Sequence, residues 1–176
     1  MPEVRVAVSD DAEGIARVHV SSWQAAYRDI LPAEYLAGLR WEKRYEFWQR
    51  ELVAPSTVGS TTWVLMEGTS VLGFVSTGPA RDDDRQPDEA WELYALYLTE
   101  DRWGQGLGRA LANVAIDAVP DQVDDVSLWV LSGNHLARRF YERLGFSLDG
   151  REQTANIGDC EVLEVRYLRE RESGLS

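Results

Sequence analysis

The sequence predicts one α/β domain with a mixed, mostly antiparallel central sheet of about seven strands flanked by helices. Three observations predict it. Apolar periodicity switches between the strand and helix repeats in the order β-α-α-β-β-β-α-β-α-β-β. The segment Trp91–Leu98 is apolar almost throughout, as suits a central strand buried on both faces. A glycine-studded turn, Gly104, Gly106 and Gly108, follows that strand and opens a helical pattern at once. The 176 residues suffice for one substantial core, and no repeat or linker divides them.

Each element has a local cause. Val4–Val8 alternates with polar residues and reads as a first strand. Ser9, Asp10 and Asp11 supply N-cap chemistry for a helix running to about Tyr27, with Ile15, Val18 and Ser22 near one face. Pro32 permits a new helix start. An aromatic-rich helical region then runs through Tyr35, Leu36, Leu39, Trp41, Tyr45, Phe47, Trp48 and Leu52 to Pro55. Thr61–Met66 and Val71–Thr77 are strands joined by a hairpin turn at Glu67-Gly68-Thr69-Ser70. Residues 80–89 are acidic and polar, with Pro87, and read as an exposed, mobile loop. Leu107–Ala118 is amphipathic, with Leu107, Leu111, Val114, Ala115 and Ala118 on its buried side. Val126–Leu131 is a strand, and Leu136–Leu144 is a helix that Gly145 ends. Phe146–Asp149 and Val162–Leu168 are the last strands, and Arg169–Ser176 reads as a frayed tail.

Composition narrows the function. Apolar residues make up 44% of the chain and charged residues 27%, as in ordinary globular domains. The net charge is −12, which argues against nucleic acid as a partner and is compatible with a cationic substrate. Basic residues nevertheless collect near the glycine turn and beyond it: Arg102, Arg109, Arg138 and Arg139. One cysteine excludes an internal disulfide framework, and the two histidines lack metal-ligand spacing, so no metal is expected. No apolar run is long enough to span a bilayer and the first residues do not resemble a signal peptide, so no membrane contact and a cytoplasmic location are expected.

The glycine turn carries the first chemical signal. Free backbone N–H groups at a helix start, with the positive end of the helix dipole behind them, bind phosphate. A dinucleotide fingerprint would require its third glycine one residue later and a place after the first strand, so a nicotinamide enzyme is disfavoured. A second motif follows at 132–146: Ser-Gly-Asn-His-Leu-Ala-Arg-Arg-Phe-Tyr-Glu-Arg-Leu-Gly-Phe.

Together these segments resemble the GCN5-related N-acetyltransferase (GNAT) superfamily. The matching elements are Leu96-Tyr97-Leu98, the loop Trp103-Gly104-Gln105-Gly106-Leu107-Gly108, Asn134, Ala137, and Phe140 to Phe146. Val4 to Ala7, Asp10 to Ala12, Trp23 and Tyr27 resemble the family's start. The resemblance implies that the strands ending at Leu98 and Leu131 splay apart and admit acetyl-CoA between them. It implies cofactor contacts from residues 96–98 and 102–109, and from Asn134, Ala137 and Tyr141. The family's loop usually opens with Arg or Gln where this chain has Trp103, so Arg102 and Arg109 are the candidates for charge at the pyrophosphate.

The implied reaction is direct acetyl transfer to a primary amine, either a small cationic amine or a peptide amine. Three demands then follow. The carbonyl oxygen needs a donor, expected from a backbone N–H within Leu96–Leu98, where the family carries an irregularity. The leaving thiolate needs a proton or hydrogen bond, expected from Tyr141, which lies two helical turns after Asn134 and shares its face. The amine needs a base. Glu92 is the candidate, directly or through water, as an ionisable group on an otherwise apolar strand, with Tyr94 on the same face. Trp23, Tyr27 and Trp41 are candidates for an aromatic wall of the acceptor site. Cys160 falls on no motif. A non-catalytic acyl-CoA-binding or regulatory domain is the competing class, since fold alone does not settle activity. The seven tryptophans leave room for an apolar contact surface, and the resemblance makes a homodimer possible.

Overall fold

In the computed structural model, residues 1–171 are described. Seven strands form one open sheet in the order β1-β2-β3-β4-β5-β7-β6. They are β1 (Glu3–Val6), β2 (Thr61–Glu67), β3 (Ser70–Pro79), β4 (Ala90–Leu98), β5 (Asp125–Leu131), β6 (Ser147–Ile157) and β7 (Cys160–Glu170). The helices are α1 (Ala12–Ala26), α2 (Ala33–Gly38), α3 (Trp41–Val53), α4 (Leu107–Asp117) and α5 (His135–Arg143). All neighbouring strands are antiparallel except β4 and β5, which are parallel and connected through α4.

The helices divide between the two sheet faces. Leu111, Ala112, Ala115 and Ile116 of α4 meet Tyr141 and Leu144 and one face of the sheet, including Leu65, Val75 and Leu128. Ile15, Ala16 and Val18 of α1 and Trp48 of α3 close over Val64 and Phe74 on the other face. A third cluster, Tyr27, Leu31, Leu36 and Leu131, joins the end of α1 to the end of β5. The alternation of β2 explains this sharing: Trp63 and Leu65 face α4, while Val64 faces α1.

The β4 strand is the hinge of the architecture. Its pairing with β3 runs Gly73↔Leu98 to Ser76↔Ala95 and resumes at Thr77↔Leu93, which leaves Tyr94 as an inserted residue. Such a bulge bends a strand and adds twist. Its pairing with β5 stops after Ala90↔Asp125, Trp91↔Val126 and Glu92↔Ser127. Beyond that point the two strands separate, and the expected splay is present.

Three expectations are corrected. Residues 80–89 are not a free loop. Buried Arg166 binds Asp82 at 3.0 Å and Asp84 at 2.8 Å, the Trp129 indole N–H donates to Asp82, and Arg85 pairs with Asp125. The last strand continues two residues past Leu168, with Arg169 opposite Val126 and Glu170 opposite Asp125. The remainder of the expected tail, 172–176, lies outside the described residues. The strand expected to end at Asp149 continues to Ile157 as the sheet's exposed edge. Its polar sequence hides it, because a strand with both faces wet needs no apolar alternation.

Candidate active site

The gap between β4 and β5 opens a cavity of about 740 Å³, in the range of ligand clefts. The glycine turn forms one end. Gly104 and Gly106 have φ of +74° and +79°, a conformation that favours glycine, and a Cβ at either position would meet no protein atom within 4 Å. Gly106 is the N-cap of α4 and offers no side chain to the helix start. The first N–H groups of α4 therefore have no side-chain cap and can serve an anion. Arg109, Arg139 and Arg143 line the same region. These features fit the pyrophosphate of a CoA thioester.

Arg102 does not join them. Its guanidinium binds Glu67 at 2.6 Å and approaches Asp101 at 3.4 Å, and it does not line the cleft. Gln105 is likewise turned away, donating to the Asp101 carbonyl at 2.9 Å, and Leu107 packs on the core. Arg143, which the sequence did not single out, lines the cleft where Arg102 does not. Trp103 has a structural part: its indole N–H donates to the Leu98 carbonyl at 2.8 Å and ties the turn to the end of β4.

The β4 wall contributes backbone. Thr99 N–H donates to Leu72 on β3, while the Leu98 carbonyl accepts from Ser22 and Trp103 instead. Because successive residues of a strand turn their N–H and C=O groups to opposite sides, Leu98 and Leu96 direct theirs away from β3, toward the gap. The strand's irregularity, expected at Leu96–Leu98, sits at Tyr94.

The opposite wall comes from α5. Asn134 is its N-cap, and its side-chain oxygen accepts from Ala137 N–H at 3.1 Å. That bond anchors the start of α5 beside the cleft, where Asn134, Ala137 and Tyr141 all lie. Tyr141 is 8% exposed, set against Phe140 and Phe146, and its hydroxyl has no hydrogen-bond partner among the described residues. Burial pushes this phenol well above its ordinary value, with the neighbouring Tyr97 adding to the effect.

Glu92 lines the cleft but is not a free carboxylate. Arg81 donates to one oxygen from its terminal nitrogen at 2.7 Å, and to the other from Nε and from its backbone N–H, both at 3.1 Å. The Arg81 guanidinium also lies 4.0 Å from the centre of the Tyr94 ring. Glu92 and Tyr94 thus share a face as expected, but with Arg81 bound to both. This arrangement orients the wall and corrects the expectation of an unpaired base. The second carboxylate of the cleft, Glu164 on β7, meets only the neutral Gln153 amide, at 2.7 Å. No local signal marks Glu164, since a polar residue at alternate positions of a strand reads as solvent-facing.

Trp23 and Tyr27 line the cleft, and the Tyr27 and Tyr97 hydroxyls are 3.1 Å apart. Burial raises both phenols. Trp41 is elsewhere, beneath the Arg17 guanidinium at 3.8 Å. A second cavity of about 490 Å³ lies between α1, α3 and the sheet. It shares Trp23, Arg81, Tyr94, Ala95 and Tyr97 with the first. The two cavities therefore meet around the bulge. Among the described residues no helix is long and apolar enough to cross a membrane.

Known proteins share this arrangement. Residues 21–146 match the model of the Acetyltransferase (GNAT) family. The chain is 36% identical over 135 residues to the uncharacterized N-acetyltransferase YuaI of Bacillus subtilis, covering 76% of this chain and 74% of that one. It is 30% identical over 153 residues to a probable N-acetyltransferase of Mycobacterium tuberculosis, covering 86% and 83%. The fold matches the PaiA N-acetyltransferase of Thermoplasma acidophilum, crystallised with coenzyme A, with a TM-score of 0.77 at 20% identity over 97% of this chain and 99% of that one. The parted strands, the glycine turn and these likenesses lead to one conclusion: the chain belongs to the GNAT family of acetyl-CoA-dependent acetyltransferases.

Proposed function

We propose that this protein transfers the acetyl group of acetyl-CoA directly to a primary amine held in the same complex. The observation that carries the reading is the parting of β4 from β5 beyond Glu92 and Ser127, with the uncapped start of α4 at one end and the unpartnered Tyr141 hydroxyl on the wall. Acetyl-CoA supplies an activated acyl group and a leaving thiolate. The chain supplies the rest.

Arg109, Arg139, Arg143 and the α4 N–H groups hold the phosphates. The Leu96 N–H, turned into the gap, donates to the carbonyl oxygen as charge develops there. Tyr141 donates its phenolic hydrogen to the departing sulfur; its raised value keeps that hydrogen in place across the working pH range. Glu164 takes the proton that the amine gives up, because Arg81 engages both oxygens of Glu92. A cationic amine gives up two protons, one before attack and one as the amide forms; one replaces the hydrogen that Tyr141 gives to the sulfur and the other leaves to water through Glu164, so the transfer balances. The acceptor's approach is favoured for molecules with a cationic amine by the net charge of −12.

The test is a thermal-shift titration with acetyl-CoA, CoA and NAD, followed by CoA release with a panel of primary amines. At 100-fold over its Kd, acetyl-CoA should stabilise the fold by about 2.7 kcal/mol, while NAD does nothing. Stabilisation without acetylation of any amine would instead favour an acyl-CoA-binding module. The absence of any shift with either CoA species would reject the donor site itself.

A further inference from the structure

The second cavity carries a cationic side chain on its lining. Arg81 is paired with Glu92 and Arg102 with Glu67. Arg44, on α3, lines this cavity and has no ion-pair partner among the described residues. Its guanidinium sits 5.3 Å from the centre of the Trp23 ring. Trp23 is one of the residues shared with the cleft, so this cation is adjacent to the route toward the reacting acetyl group.

A second donor stands beside it. His19 is 8% exposed and lines the same cavity. Its Nδ1 accepts the Trp48 indole N–H at 3.2 Å, so the hydrogen of the neutral ring is on Nε2. That N–H has no protein partner among the described residues. Burial and the Arg44 charge hold His19 down at about 3, so the ring is neutral in use. Thr57 and Ser60 add hydroxyls to the rim. Of the other charged groups here, Arg81 is bound to Glu92, and the Glu51 carboxylate accepts two neutral hydrogen bonds from Ser56 and keeps its charge on the cavity lining.

We infer that the 490 Å³ cavity binds an anionic group of the acceptor, and that the acceptor is a primary amine that also carries a carboxylate, with Arg44 as its charged anchor and His19 Nε2–H as a second donor. The inference rests on the proposed amine acetylation and adds the substrate class. An unpaired guanidinium that is partly withdrawn from water favours a carboxylate strongly and repels a polycation. The acidic exterior and the Arg44 anchor are compatible in such a zwitterion: its ammonium is drawn by the acidic groups, Glu51 among them, and its carboxylate is held by Arg44.

The experiment measures kcat/KM by CoA release for α-amino acids, their α-amides and α,ω-diamines, in the wild type, Arg44→Gln and Arg44→Lys. Folding of each variant is checked by its thermal shift with acetyl-CoA. The expected result is a preference for the amino acid over its amide of about tenfold or more. That ratio collapses in Arg44→Gln, through KM, and returns in part in Arg44→Lys. Preference for diamines, or an unchanged ratio in Arg44→Gln, overturns this inference and leaves amine acetylation standing. No acetylation in any class overturns both.

Discussion

At the scale of single residues, the cleft contrasts groups that are held with groups that are free. Glu92 is bound on both oxygens by Arg81, whereas Glu164 meets one neutral amide and the Tyr141 hydroxyl has no hydrogen-bond partner among the described residues. A free group can exchange protons with a reactant; a held group fixes the geometry of its neighbours. The proposed proton roles therefore fall to Tyr141 and Glu164, while Glu92, Arg81 and Tyr94 form the wall. Tyr141→Phe keeps the ring and its packing, so kcat should fall about 10²-fold with little change in KM for acetyl-CoA. In the same pH–rate series, Glu164→Gln should lose activity near neutrality and recover as pH rises toward the amine's own pKa of about 10. Unchanged kcat in the first variant, or a pH-independent loss in the second, would remove the corresponding role.

At the scale of elements, the start of α4 is the part most directly built for an anion. Its N-cap, Gly106, has φ +79°, and nothing in the protein fills the space before it. An L side chain in that conformation costs about 1–2 kcal/mol, and its Cβ projects into space that the phosphates would otherwise use. Gly106→Ala should therefore lower Tm and, separately, weaken acetyl-CoA binding in isothermal titration. A lowered Tm with unaltered affinity would mean that the turn is only structural. The 80–89 segment is a second device of this scale. It carries Arg81 to Glu92 at one end, and Arg166 ties Asp82 and Asp84 down. The Arg166 bond is also what holds Asp84 at about 2. A segment that looks mobile by composition is thus anchored beside the cleft.

At the scale of the whole molecule, a buried neutral histidine makes stability depend on pH. His19 has an ordinary value of 6.5 and is held at about 3 by burial and by Arg44. The unfolded chain binds the extra proton between these values. The stabilising contribution is complete above about pH 6.5 and is lost as pH falls through that window toward 3. Thermal denaturation between about pH 7 and 5, above the main carboxylate range, should show Tm falling with acidity. The slope should be shallower in His19→Gln. Equal slopes would show that other groups carry the dependence.

The sequence by itself determined the strands and helices with an apolar face, the buried central strand, the phosphate-ready turn, and Tyr141 on the helix that follows Asn134. These are local properties: period 2 or 3.6, a glycine where φ is positive, a cap at a helix start. The polar edge strand β6 lacked that periodicity and was shortened. Only the tertiary structure decided that Arg102 goes to Glu67 and Arg143 to the cleft, that Arg81 holds Glu92, that Glu164 lines the cleft, and that Arg44 stands beside Trp23 with no ion-pair partner among the described residues. The physical reason is that a long charged side chain can reach several neighbours. Which of them it meets is set by sheet register and by the Tyr94 bulge, between residues far apart in the chain.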